Sequence, residues 1–309
     1  MKSEELKMLE EHRIGILAGG PSSEREISLK SGKAVRKALH GAGLDAVFMD
    51  INEEGFIRAI DRSGIDVAFI ALHGRFGEDG TVQKILEKKN IKYTGSGPES
   101  SSLAFDKVAS KKKFKSEGLK MPGCCVVKAG EDISRLDIRF PCVVKPRREG
   151  SSIGLSVVRS EGLLSKAVKE AFQFDENILI EDFVTGREIT VGVLDDSALP
   201  IVEIVPADGV YDFEAKYRST GTRYIAPAEL EKGQYARVQE EGLKAHRALG
   251  CKSFSRVDLI LSGEGEIFVL EVNTIPGLTE RSLLPMAAKA AGLDFLQLCV
   301  KMLCGALSK

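Results

Sequence analysis

Through the N-terminal third of the chain, short apolar runs at residues 14–17, 46–51, 66–72 and 91–94 alternate with amphipathic stretches that begin near Glu24, Glu53 and Thr81. Strands separated by helical segments predict a small parallel sheet covered by helices. Ser23 followed by Glu26 fits a capping box, so the chain is expected to turn from the first strand through Gly19-Gly20 into a helix. That turn is neither a Walker A loop nor GxGxxG, and the phosphate-binding reading fails there. A helix is expected over 100–117, stopped by Gly118, with Lys111, Lys112, Lys113 and Lys115 as its solvated face.

From Met121 onward the pattern becomes β-rich, with strands expected at 124–127, 142–145, 155–158 and 178–183 and a helix at 161–174. A third part, from about Gly186, holds strands at 189–194 and 200–205, a polar loop at 211–224, a helix at 234–249, a hairpin, and a last helix at 295–307. The fold class is therefore α/β, passing to α+β in the later parts. Three units are expected: 1–103, 104–184 and 185–309.

The hairpin pairs Arg256-Val257-Asp258-Leu259-Ile260-Leu261 with Phe268-Val269-Leu270-Glu271-Val272-Asn273. Alternation puts Arg256 and Asp258 on one face and Glu271 and Asn273 on one face, with apolar residues between them pointing into a core. A two-residue turn at Glu264-Gly265 sets Asp258 opposite Glu271 and Arg256 opposite Asn273. Cross-strand carboxylates about 5 Å apart repel unless a divalent cation sits between them. Two carboxylates and an amide oxygen suit Mg2+, which shares its other positions with water and substrate phosphates. The other reading is an exposed hairpin whose outer face happens to be charged.

Composition narrows the class. The 44 basic and 45 acidic residues leave a net charge of -1, so no global field favours nucleic acid or an anionic membrane. The charged N-terminus lacks an apolar signal region and no apolar run approaches the ~20 residues that span a bilayer, which predicts a cytosolic protein. The six cysteines form no CxxC pair and read as buried free thiols, and the four histidines sit at no ligand spacing, so no structural zinc is expected.

A second chemical signal is Val143-Val144-Lys145-Pro146 followed by Glu149-Gly150-Ser151-Ser152-Ile153-Gly154. A lysine at a strand end reaches a phosphate, and a Gly/Ser turn presents N–H and hydroxyl donors to one; ordinary hairpin turns have the same composition. Glu181, ending an apolar strand, and Glu188 beyond it have the chemistry to read an adenine amine and ribose hydroxyls, or simply to end a strand.

The order of these signals, with Asp106-Lys107 before them and Glu271-Val272-Asn273-Thr274-Ile275-Pro276-Gly277 after them, resembles the ATP-grasp enzymes. Within these the chain resembles the D-alanine:D-alanine ligases, through Gly19-Gly20-Pro21-Ser22-Ser23-Glu24, Leu72-His73-Gly74-Arg75-Phe76-Gly77-Glu78-Asp79-Gly80, Tyr93-Thr94-Gly95-Ser96-Gly97 and Tyr211-Asp212-Phe213-Glu214-Ala215-Lys216-Tyr217. The resemblance runs from about Ile14 to the last helix. It implies a three-domain ATP-grasp architecture with an N-terminal parallel-sheet domain. It also implies ligation of two D-alanines: the first carboxylate takes the γ-phosphoryl of ATP and the amine of the second attacks the acyl phosphate.

By the same resemblance Glu24 receives the ammonium of the first D-alanine with His73 close by, and Ser151 and Tyr217 link to Glu24. Arg256 and the N–H of Gly277 stabilise developing charge, and Ser282 holds the second carboxylate. Lys107, Lys145 and Lys216 neutralise ATP phosphates, with Glu181 and Glu188 on the nucleotide. Asp258, Glu271 and Asn273 hold two Mg2+ ions, or Mn2+. A homodimer is expected by analogy. His73 bonded to backbone and Ser282 capping a helix are the plain alternatives. Tyr217 favours the dipeptide over a D-lactate product. Arg147, where a smaller residue is commoner, and Ala226, where cysteine is frequent, depart from the family pattern. A ligase using another small D-amino or D-hydroxy acid, and a nucleotide-binding regulator without catalysis, are the rival readings.

Overall fold

The computed structural model describes residues 4–206 and 221–308. After a short helix, α1 (Glu4–Glu10), four parallel strands form the first sheet in the order β2-β1-β3-β4: β1 Ile14–Gly19, β2 Ala46–Ile51, β3 Val67–Ile70 and β4 Lys92–Tyr93. Every residue of β1 and β3 is buried, as a parallel strand covered on both faces requires, which is why these segments read as continuous apolar runs. The crossovers are α2 (Arg25–Gly41), α3 (Phe56–Ser63) and α4 (Thr81–Lys88).

The capping box expected at the start of α2 does not form. Glu24 is the N-cap residue, without a side-chain cap bond, and the Ser23 hydroxyl instead reaches Glu149 at 3.2 Å. The helix expected over 100–117 is two helices, α5 (Pro98–Phe105) and α6 (Lys107–Ser116), broken at Asp106. Asp106 adopts φ -90°, ψ 99°, and its carboxylate accepts the N–H groups of Val108 and Ala109. An aspartate able to cap a new helix competes with continuing the old one. Lys111 is not part of a solvated face: it is buried with Phe114 on the inner side of α6, while Lys112 and Lys115 are exposed.

The second sheet has the order β5-β8-β6-β7, all antiparallel: β5 Cys124–Lys128, β6 Cys142–Pro146, β7 Ser156–Val158 and β8 Asn177–Asp182. Helix α7 (Glu161–Ala171) covers one face, where Val127, Val144, Ile178 and Ile180 form a core with Leu164 and Val168. Glu181 and Lys145 point out of the opposite face.

The third sheet follows the order β12-β11-β9-β13-β14, with β10 on β9. Its strands are β9 Gly186–Leu194, β10 Ser197–Ala198, β11 Val202–Val205, β12 Arg223–Ile225, β13 Phe254–Ser262 and β14 Ile267–Asn273. Helix α8 (Lys232–Ala248) packs on its apolar face, so closely that Gly242 leaves room for no side chain against Val191. Two further helices close the chain, α9 (Leu283–Ala290), which the apolar pattern did not single out, and α10 (Phe295–Leu307). Leu298, Met302 and Leu303 share one core with Ile14, Ile16, Val35 and Phe69, so the C-terminal helices pack against the first sheet. Among the described residues no single helix is long and apolar enough to cross a membrane. All six cysteines are free; Cys142, Cys251 and Cys299 are buried, whereas Cys124 is exposed, contrary to expectation.

Candidate active site

The hairpin of β13 and β14 pairs Arg256 with Asn273 and Asp258 with Glu271, the register expected from the sequence, but by a different route. The connection is a three-residue loop, 263–265, in which Gly265 takes φ +79°, and a bulge at Leu270 restores the lost residue. Pairing with β9 sets Glu188 and Thr190 opposite Ile260 and Asp258. Glu188, Arg256, Asp258, Glu271 and Asn273 therefore share the face turned away from α8.

The two carboxylates do not stand as an uncompensated pair. Arg256 donates to both oxygens of Asp258 at 2.8 and 2.7 Å, and the Thr190 hydroxyl donates to Oδ1 at 2.8 Å. Glu271 lies 3.6 Å from the Lys107 ammonium. The repulsion that led to a cation being expected between them is thus relieved by the protein's own cations. Among the described residues no cluster of three or more His, Cys, Asp or Glu side chains is spaced to hold a metal. The third donor here is the amide of Asn273, whose Oδ1 accepts the Ile275 N–H at 3.2 Å. As chemistry the donor set of two carboxylates and one amide oxygen fits a hard divalent ion.

Facing this surface is a buried group of charges from the second sheet and α6. Glu181, 3% exposed, lies 2.8 Å from Lys145 and 3.0 Å from Lys111. Burial by itself would push Glu181 up, but the two ammonium groups hold its carboxyl below the usual range. Burial likewise opposes the charge on Lys145, yet Glu181 and Glu271 raise it above the ordinary lysine value. The charge of Glu271, on the third sheet, thus acts on Lys145 of the second. Lys111 was not anticipated; residues 107, 111 and 114 recur at helical period, and that signal lay in the sequence.

The Gly/Ser loop closes one end of the cleft. The Lys107 ammonium donates to the carbonyl of Glu149, and the Lys107 N–H donates to that of Arg147 at 3.2 Å. Arg147 and Arg148 both clasp Asp106, at 2.7 Å from Nε of the first to Oδ1 and 2.7 Å from the second's terminal nitrogen to Oδ2. The base of the loop is thereby fastened to the start of α6. At its tip, Ser151 and Ser152 both take positive φ, 50° and 59°. The Ser151 hydroxyl donates to Oε1 of Glu24, and Gly150 approaches so closely that any Cβ would lie 2.3 Å from Oε2.

Glu24 is 5% exposed and, among the described residues, its Oε2 has no hydrogen-bond partner. Beside it lies His73, buried, with Nδ1–H donating to the carbonyl of Ile275 and Nε2 meeting the Ser31 hydroxyl, each at 2.9 Å. The backbone bond is the plain alternative foreseen for this residue, made at the edge of the Glu24 pocket. Glu78, whose Oε1 is 3.7 Å from Nδ1, was not anticipated as a member of this corner. Burial pushes its carboxyl up to about 7, with the charge of Glu24 adding to the effect and His73 opposing it.

Ser282 stands at the N-cap position of α9 but makes no side-chain cap bond; its oxygen accepts the Thr279 N–H at 3.0 Å instead. Gly277 faces it, with space for a Cβ only 2.9 Å from its Oγ. Tyr217 and Lys216 lie outside the described residues.

The arrangement sets a buried carboxylate, one of whose oxygens has no hydrogen-bond partner among the described residues, at one end and ammonium groups facing hard oxygen donors at the other. Two family profiles match the chain, one described as D-ala D-ala ligase C-terminus over residues 127–304 and one as D-ala D-ala ligase N-terminus over residues 57–96. The chain is 48% identical over 303 residues to a D-alanine–D-alanine ligase of Citrifermentans bemidjiense, covering 98% of each. It is 46% identical over 298 residues to the ligase of that name from Syntrophotalea carbinolica, covering 96% of this chain and 97% of the other. A crystal structure of D-alanine–D-alanine ligase from Bacillus anthracis complexed with ATP superimposes with a TM-score of 0.84 at 33% identity, covering 96% of this chain and 98% of that one. The VanG D-Ala:D-Ser ligase from Enterococcus faecalis gives 0.80 at 28% identity, covering 94% and 98%.

Proposed function

The chain belongs to the D-alanine–D-alanine ligase family, and from that premise we propose that it joins two D-alanines into D-alanyl-D-alanine at the expense of ATP, releasing ADP and phosphate. Its fold is that of the ATP-grasp ligases. The observation that carries the reading is the Glu24 corner: a buried carboxylate with one oxygen on Ser151 and the other awaiting a donor. Burying such a group costs several kcal/mol unless a partner arrives, and an amino-acid ammonium is that partner.

The chemistry follows from charge. ATP lies in the cleft between the second and third sheets, its phosphates met by Lys107 and Lys145, with Lys216 joining them and with Lys111 held beside Lys145 by Glu181. With its ammonium on Glu24, the first D-alanine directs its carboxylate toward the γ-phosphorus. An oxygen of that carboxylate forms the new P–O bond as the bond to the ADP oxygen breaks. The neutral amine of the second D-alanine then attacks the acyl carbon, and phosphate departs with the C–O electron pair and takes up the proton that the amine gives up. Arg256 and the N–H of Gly277 stabilise the oxyanion of that addition. Asp258, Glu271 and Asn273 would hold Mg2+, which when bound would offset charge on the transferring phosphoryl. Ser282 positions the second carboxylate. The Gly/Ser loop excludes water, which would otherwise hydrolyse the acyl phosphate. ATP as phosphoryl donor implies the cytosol, where the dipeptide feeds cell-wall synthesis, and the homodimer expected by analogy is checked by sedimentation.

Phosphate release from ATP decides the matter. It is expected with D-alanine and Mg2+, and not with L-alanine or with D-lactate as sole substrate. Release that ignores D-alanine would leave a nucleotide-binding regulator or another ligase as the better reading. A product formed preferentially with D-serine or D-lactate as second substrate would identify the related ligase.

A further inference from the structure

Two adjacent residues of the N-terminal turn and two residues of the Gly/Ser loop exchange hydrogen bonds crosswise. The Ser23 hydroxyl donates to Oε2 of Glu149 at 3.2 Å, and the Ser151 hydroxyl donates to Oε1 of Glu24. Neither Ser23 nor Glu24 caps α2 with its side chain, although the sequence is suited to a cap there; both are diverted to the loop. The loop in turn holds Ser151 and Ser152 at φ 50° and 59°, a conformation that L residues adopt only when surrounding contacts enforce it. Glu149 and Ser23 are the members of this exchange to which no part in the chemistry has been given. The carbonyl of Glu149 is held by Lys107 and its carboxylate by Ser23, so it spans from the start of α6 to the turn that carries Glu24. A second acid next to Glu24 is electrostatically unfavourable, and burial together with the charge of Glu24 pushes its carboxyl up. A contact kept against that cost points to a positional role.

Resting on the ligase reading, we propose that Glu149 is a positioning residue: through Ser23 it latches the Gly/Ser loop to the N-terminal turn, so that Ser151 stays on Glu24 and water is kept from the activated carboxylate. Glu149 touches no reacting atom, and it acts through Ser151.

The test uses the full-length chain and four variants, Glu149→Ala, Glu149→Gln, Ser23→Ala and the double Glu149→Ala/Ser23→Ala. Phosphate released per dipeptide formed is expected to be one in the parent and to rise above one in Glu149→Ala and Ser23→Ala. The KM for D-alanine should rise about fivefold in both, the effect of one lost hydrogen bond. The Gln variant, whose amide oxygen still accepts from Ser23, should restore coupling. The double variant should be no worse than either single one, because the two groups form one contact. Hydrogen exchange of residues 149–154 reads the latch without turnover and should quicken in both single alanine variants. Unchanged exchange and a ratio of one in Ser23→Ala, which removes only an exposed hydroxyl, would overturn the latch whether or not Glu149→Ala folds. A parent chain that releases no phosphate on D-alanine, with exchange still quickened in the variants, would overturn the ligase reading and leave the latch standing.

Discussion

At Glu24 two demands meet on the proposed function, since its carboxylate holds the loop through one oxygen and the other is the one proposed to accept the ammonium. Replacing it by Gln keeps the size and removes the charge. D-alanine-dependent phosphate release should fall about 10- to 100-fold, as expected for a lost charge-assisted hydrogen bond of about 1.5–3 kcal/mol. The thermal midpoint should hold or rise, because a buried charge without a partner is removed. Next to it, Glu78 is held up to about 7, first by burial, and His73 is raised above its usual value because Glu78 and Glu24 outweigh the opposing effect of burial. Both groups bind protons more tightly in the folded chain than in the unfolded one. The contribution of Glu78 is therefore complete below the ordinary glutamate value of 4.5 and is lost as pH rises through about 7, while that of His73 is complete below 6.5 and is lost above it. In Glu78→Gln the fall in thermal midpoint across that window should flatten; an unaltered slope would show that the titrating group lies elsewhere.

At the scale of elements, the break at Asp106 makes one helix into two and joins the second to the loop. Burial pushes the Asp106 carboxyl up, but the guanidinium groups of Arg147 and Arg148 win and hold it at about 2. Its stabilising effect is present above the ordinary aspartate value of 3.8 and disappears as pH falls toward 2. Asp106→Ala removes a cap and two charge-assisted contacts together, and should cost about 2 kcal/mol or more in denaturant unfolding. Asp106→Asn retains a capping oxygen and should lose the acid-pH dependence specifically. The two-helix break was legible only in part. Asp-Lys is visible as a cap in the sequence, but the arginines that select it lie 41 and 42 residues away. The same holds for Ser23, a good cap by local rules, whose hydroxyl goes to Glu149 across 126 positions.

Over the whole molecule, the cleft depends on pairs of elements that meet only after folding. Lys111→Met leaves Glu181 with one cation, and breaking such a buried group typically costs about 3–5 kcal/mol, to be read from the denaturant midpoint. Arg147→Ser loosens the loop base without touching the pocket; the KM for ATP should rise severalfold with kcat nearly unchanged, and an equal loss in kcat would place Arg147 in the chemistry instead. The sequence by itself determined the parallel sheet, the positions of the later strands, the 256–273 hairpin, the face shared by Arg256 and Asp258, and the motifs of the family. Each depends on a period of two or 3.6 residues or on a short contiguous string. Only the tertiary structure decided that Lys111 turns inward, that Glu78 joins His73, that Asp258 and Glu271 are met by Arg256 and Lys107, and that Ser23 crosses to the loop. Those outcomes are set by burial and by charges from distant strands, where a local propensity worth about 1 kcal/mol yields to the larger cost of leaving a buried charge unpaired.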